Sequence, residues 1–267
     1  MFRNKSGVIR EVAALIIIIL LVIAAAIYLG YIKLGPISQP NLPIPFVSIG
    51  KNWAGYEVFS SLLNPQPTVN SISAFWTAPA VNSGGSDAFS SVWIGIGGQF
   101  DQTLIQVGTE QDSSNGSTNY YAWYEMLPSS AVPITSIQVA AGDQISASIS
   151  MVNSNTGTWA ISIDDQTSNT QFQSNFNYTS QRLSAEWIVE RPAVNGALAP
   201  LANFGSVTFT NCNADLSGKT GGISSFTHNI TFMEPQIVNN RSVQLVSVSG
   251  LSNGGTQFKV TYTATGV

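Results

Sequence analysis

Ala185-Glu186-Trp187-Ile188-Val189-Glu190 is a strand written in steps of two. Side chains alternate across an extended chain, so Glu186, Ile188 and Glu190 fall on one face and Trp187 and Val189 on the other. The second face is wholly apolar and asks for a core. The first combines an aliphatic residue with two carboxyls. The same reading of TLIQVGTE (103–110) puts Leu104, Gln106, Gly108 and Glu110 on one face, and in NYYAWYEM (119–126) it groups Tyr121, Trp123 and Glu125. Three strands thus each carry a face that mixes aromatic or aliphatic groups with a carboxyl or an amide. Such a face can line a concave binding surface or form the half-exposed side of a sandwich, and parity alone leaves both readings open.

Outward from these segments the pattern repeats. SISAFWTA (71–78), FSSVWIGI (89–96), QISASISMV (144–152), TWAISID (158–164), VTFTN (207–211), VQLVSVS (243–249) and FKVTYTA (258–264) are rich in β-branched and aromatic residues and bounded by Gly, Asn, Ser or Pro. After the N-terminal apolar run no segment has the period of an amphipathic helix. Many short strands predict one all-β domain over 47–267, built as a sandwich or a closed barrel. Charged residues are only 9% of the chain against 44% hydrophobic, where about a quarter charged is usual. Ser, Thr, Asn and Gln carry the polarity instead, and their hydrogen bonds survive conditions that protonate carboxylates.

The N-terminal residues are of a different kind. Val12 to Ile32, VAALIIIILLVIAAAIYLGYI, holds no charge and is long enough to cross a bilayer as a helix. Arg3, Lys5 and Arg10 precede it and only Lys33 follows closely, which predicts residues 1–11 in the cytoplasm and the chain after the span outside it. The alternative is a cleaved signal peptide and a secreted domain, although no small-x-small cleavage pattern follows the apolar run. Residues 33–46 carry Pro36, Pro40, Pro43 and Pro45 and read as an extended stalk.

Composition also excludes. One cysteine, Cys212, and one histidine, His228, are too few for a structural zinc site and for an internal disulfide. No nucleophile-elbow pattern accompanies His228, which reads as structural. No metal and no cofactor is expected. All but Glu11 of the 14 acids lie from Val47 onward, against Lys51, Arg182, Arg191, Lys219, Arg241 and Lys259, so nucleic acid is not an expected partner. Any catalysis must come from carboxylates, amides and hydroxyls.

Six segments then occur in an order that resembles the glutamic peptidases, or eqolisins. They are Asn52-Trp53-Ala54-Gly55-Tyr56, Ser91-Val92-Trp93-Ile94-Gly95-Ile96-Gly97-Gly98, Ile105-Gln106-Val107-Gly108, Tyr121-Ala122-Trp123-Tyr124-Glu125, Ala185 to Glu190, and Pro200 to Gly205 with Val207 to Thr210. The resemblance implies a two-sheet antiparallel β-sandwich of the concanavalin-like or jelly-roll type and acid endopeptidase activity on protein or peptide substrates. It implies Gln106 and Glu190 as the catalytic pair, and Trp53, Trp93 and Glu125 as lining of the cleft. Trp123 and Glu110, on the same faces by parity, are candidates to contact substrate as well. One departure stands out: the family's aspartate in its G-I-D-G segment is Gly97 here.

The pair makes chemical sense. Peptide hydrolysis needs a positioned water, a group to move its proton and a donor for the developing oxyanion. A glutamate serves the proton and a glutamine amide serves water and oxyanion. Two other functions remain open on the residues alone. One is a binding module whose Trp53, Trp93, Trp123 and Tyr121 stack sugars or peptides. The other is a glycoside hydrolase, for which Glu186 and Glu190 are an ill-spaced pair: on one straight strand they lie about 13 Å apart, where that chemistry uses roughly 5 to 9.5 Å.

Overall fold

Trp187 and Val189 turn inward, and Ile188 turns outward, in the computed structural model of the chain, which describes residues 46–81 and 86–264. Their strand, Ser184–Glu190, lies near the middle of an eight-stranded sheet. In spatial order the sheet runs Phe46–Gly50, Thr227–Met233, Trp53–Phe59, Ser184–Glu190, Ala88–Gly97, Leu104–Ser114, Ser117–Met126 and Val132–Ile134. A second eight-stranded sheet runs Thr170–Asn177, Thr158–Asp165, Gln144–Asn153, Val69–Thr77, Ser206–Leu216, Phe258–Tyr262 and Val246–Val248, with Lys219–Gly222 paired to Ser206–Leu216.

The core lies between the sheets. Tyr56, Val58, Val92, Ile94, Ile105, Val107 and Trp187 from the first sheet join Ile72, Trp76, Ile149, Trp159, Ile161 and Phe209 from the second in one buried cluster. Removing this apolar surface from water is the main force that closes the sandwich. The indoles inside it are also satisfied across the gap: Trp187 Nε1 donates to the Ser73 carbonyl at 3.0 Å, and Trp76 Nε1 donates to Thr109 Oγ1 at 3.1 Å. Each bond ties one sheet to the other and spares the core an unpaired N–H.

The expected all-β sandwich is what the described residues form, with two corrections. Phe46–Gly50 pairs in parallel with Thr227–Met233, so the first sheet is antiparallel except at this edge. Parallel neighbours need a long crossover, and here most of the domain intervenes between the two strands. The run expected as one strand over 243–249 is broken instead into Arg241–Val243, in a separate small hairpin, and Val246–Val248. Gln244 sits at the break, its Nε2 donating to the carbonyls of Met233 at 3.2 Å and Val246 at 3.1 Å. Helical structure among the described residues is confined to the short turns Ile223–Ser225 and Asn253–Gly255, and none of their helices is long and apolar enough to cross a membrane. The expected 12–32 span, the cytoplasmic start and the stalk up to residue 45 lie outside the described residues.

Candidate active site

The outer face of the first sheet carries a second, smaller apolar cluster made of Trp93, Leu104, Trp123 and Ile188, flanked by Trp53, Tyr121 and Leu127. Strand register explains its composition. Trp93 pairs with Ile188 on one side and with Gly108 on the other, and Gly108 pairs in turn with Trp123. On one side of this row lies another: Trp53, Glu190, Ser91, Glu110 and Tyr121. On its other side lie Glu57, Glu186, Gly95, Gln106 and Glu125. Carboxyl and amide groups therefore flank an aromatic strip. Gly95 keeps the floor low, because a Cβ there would lie 2.9 Å from Leu104 Cδ1 and 3.0 Å from Trp93 Cζ3.

A cleft of about 650 Å³ opens over this surface. Of the residues expected from sequence, Trp53, Gln106, Glu110, Trp123, Glu125 and Glu190 all line it. Trp93 is fully buried and touches the site through Glu190, to whose Oε2 its indole donates at 2.7 Å. Asn52 Nδ2 donates to the other oxygen, Oε1, at 2.5 Å. Trp53 packs edge-on against Trp93, with ring centroids 4.8 Å apart. Burial raises the Glu190 pKa to about 7, against the lowering effect of hydrogen bonds from Trp93, Trp53 and Asn52 and with a further rise from the charge of Glu125.

Gln106 belongs to the neighbouring row. Its Nε2 donates to Glu125 Oε2 at 2.5 Å, and its Oε1 is buried without a partner among the described residues. Burial raises the pKa of Glu125, opposed by that amide and by the Ala131 backbone. Gln106 and Glu190 do not bond to each other. They face the same cleft from strands separated by Ala88–Gly97, with Glu125 electrostatically linked to both. At the far end, burial and the nearby Asp112 raise the pKa of Glu110.

At the Gly97 departure the backbone itself leaves no room for a carboxyl-bearing side chain. Gly97 has φ +96°, and a Cβ there would sit 2.2 Å from the Thr103 carbonyl oxygen, so this backbone has no room for an aspartate. Asp101 organises the turn instead, accepting from the Thr103 N–H at 2.6 Å and from the Thr103 hydroxyl.

Several lining residues escaped the sequence reading: Asn52, Phe89, Ser91, Asp112, Leu127, Ala131 and the segment 192–194. Phe89 and Ser91 share parity with Trp93 and could have been found by counting in twos. Asn52 precedes its strand, where parity says nothing. His228 is buried on the opposite side of the sheet, its Nδ1 2.9 Å from the Phe226 carbonyl, within reach of Tyr56 and away from the cleft.

Residues 51–262 match the model of the peptidase A4 family. Aspergillopepsin-2 of Aspergillus niger is 30% identical over 192 residues, covering 66% of this chain and 68% of the relative. Scytalidopepsin B of Scytalidium lignicola is 29% identical over 231 residues, covering 82% of each. The crystal structure of scytalido-glutamic peptidase with a transition state analog inhibitor superposes with a TM-score of 0.65 at 24% identity, covering 81% of this chain and 100% of that one.

Proposed function

This chain belongs to the peptidase A4 (eqolisin) family of glutamic peptidases, and we propose that it is an acid endopeptidase in which Glu190 and Gln106 carry out the chemistry. The observation behind the assignment is that both side chains enter one cleft, and that Glu190 there has an N–H donor on each carboxyl oxygen and a pKa of about 7. Below that pH Glu190 is protonated. It gives its proton to the scissile amide as water attacks the carbonyl carbon, and it recovers a proton from that water, so that the C–N bond breaks with no net change in the enzyme.

Gln106 serves the water and the oxyanion. Its free Oε1 can accept from the attacking water, and Nε2, with one hydrogen engaged by Glu125, keeps a second for the tetrahedral oxygen. Glu125 is then the group that orients the amide. Trp53, Trp123, Tyr121 and Leu127 offer flat apolar surface to an extended peptide, and Glu110 marks the acidic end of the cleft. No step calls on a metal, in keeping with the metal-independent class to which the relatives belong.

We place the activity outside the cytoplasm. Supporting this are the uncharged run from Val12 to Ile32 with its basic flank and the scarcity of charge in the domain. Digestion of the domain by a protease added to intact cells is the expected result, and full protection would contradict it. For the activity itself, the purified chain is incubated with unfolded protein at acid pH in the presence of chelator, and the products are read by mass spectrometry. Internal cleavage is expected. Binding of peptide without cleavage at any acid pH would favour a binding module instead.

A further inference from the structure

Asn52 lies just ahead of the strand Trp53–Phe59 and is tied to the Glu190 segment twice. Its carbonyl accepts the Arg191 N–H at 2.8 Å, and its side-chain Nδ2 reaches Glu190 Oε1 at 2.5 Å. The Trp93 indole takes Oε2. These two donors come from opposite flanks of Ser184–Glu190, one from the Trp53 side and one from the Ala88–Gly97 side, and Trp53 also favours the ionised carboxyl. A carboxyl gripped at both oxygens from both sides cannot rotate about its last bond without breaking a hydrogen bond. Glu110, in the same register row, is held differently: its carboxyl is served by the Ser91 hydroxyl and the Asp112 carboxyl.

We propose that Asn52 is a positioning residue for Glu190, whose amide fixes the plane of the carboxyl toward the cleft and favours its ionised form at the moment a proton has left. The proposal rests on the assignment of Glu190 as the acid. The other charged groups around Glu190 do not duplicate the role. Glu125 across the cleft is a carboxyl and raises its pKa when ionised, and Glu110 is itself raised by the charge of Glu190. Lys51 is exposed, and the Arg191 guanidinium is committed to the carbonyls of Ala199 and Leu198. Asn52 also lines the cleft, so its second amide hydrogen is open to substrate or water.

The test is the pH dependence of kcat and KM for the purified chain and its Asn52→Ala and Asn52→Asp variants. For Asn52→Ala, kcat falls by about 10- to 100-fold, the range expected for one charge-assisted hydrogen bond, while KM changes little. The falling limb moves to higher pH, because a donor that favoured the carboxylate has gone. Asn52→Asp can donate in the same place only while protonated, so it recovers activity toward the acid end and loses it as pH rises. A residue that merely anchors the chain would lower the thermal midpoint and leave the limb where it was, and that result overturns the proposal. Titration of the Glu190 carboxyl by ¹³C NMR gives a readout independent of turnover. A higher pKa in Asn52→Ala supports the proposal and an unchanged one overturns it. If Asn52→Ala does not fold, the acid-only rescue in Asn52→Asp and its NMR titration decide. Should the unmodified chain hydrolyse nothing while the titrations still separate, the assignment of catalysis falls and the coupling of Asn52 to Glu190 stands.

Discussion

Glu186 and Glu190 share a strand and a face of the sheet and have opposite surroundings. Glu186 is fully buried, stands directly across from Glu57, and among the described residues neither of its oxygens has a hydrogen-bond partner. Burial raises its pKa well above the ordinary carboxyl value, and the charges of Glu57 and Asp101 add to this. Glu57 itself, bonded to Asn229 Nδ2 at 2.9 Å, is raised by burial to about 7. Glu190 opens on the cleft and has an N–H on each oxygen. Alternation puts both carboxyls on the outer face. Access and donors separate the group proposed to exchange protons with a substrate from one that burial keeps toward its neutral form.

The contrast is broken most severely at Glu190. Glu190→Gln removes the proton carrier while keeping size and polarity, and hydrolysis of unfolded protein should drop by at least about three orders of magnitude with the fold intact; circular dichroism and a peptide-release assay read the two together. Gln106→Ala comes next. It should cost about 10²- to 10³-fold in kcat if its amide is the main oxyanion donor, measured under substrate saturation. Glu186→Gln is the converse experiment and the smallest effect on rate, with kcat expected within about two-fold of the unmodified chain.

Stability is where Glu186→Gln should show. A carboxyl whose folded pKa is raised binds a proton in the folded state that the unfolded chain releases near 4.5, so folding is favoured at or below that pH and loses ground as pH rises through the folded value. For Glu57 the window runs from about 4.5 to about 7, and Glu186, raised well above 4.5 by burial, acts in the same direction. The thermal midpoint should therefore fall as pH rises from 4.5 to 7, and Glu186→Gln should flatten that fall, raising the midpoint at neutral pH by a few degrees, roughly the response to 1 kcal/mol or so in a domain of this size. A midpoint that rises with pH would break the comparison at the Glu186 end.

Much of this was legible in the sequence because the relevant residues sit inside strands. Counting in twos along three strands puts Glu190, Gln106, Glu110 and Glu125 on the face that carries the cleft, and Trp187 and Val189 in the core. Where the reading stopped, the cause is local. Asn52 acts from a position outside any strand, where alternation carries no information. The edge strand Phe46–Gly50 depends on a distant partner that its own residues do not specify. Thr170–Asn177 spaces Phe172 and Phe176 among polar residues, and those rings find Tyr124 with centroids 5.7 and 4.7 Å away, a contact visible only once the sheets face each other. The turn at Gly97 looked like the loss of one carboxyl, whereas the backbone itself takes a course that excludes a side chain.

The most direct test of the account is the pH profile of kcat/KM for internal cleavage of an unfolded protein by the unmodified chain, measured with chelator present. Glu190 with its pKa about 7 predicts high activity in acid and a fall with a midpoint near that value as the carboxyl loses its proton. Activity that instead climbs through neutral pH, or that chelator abolishes, would contradict it.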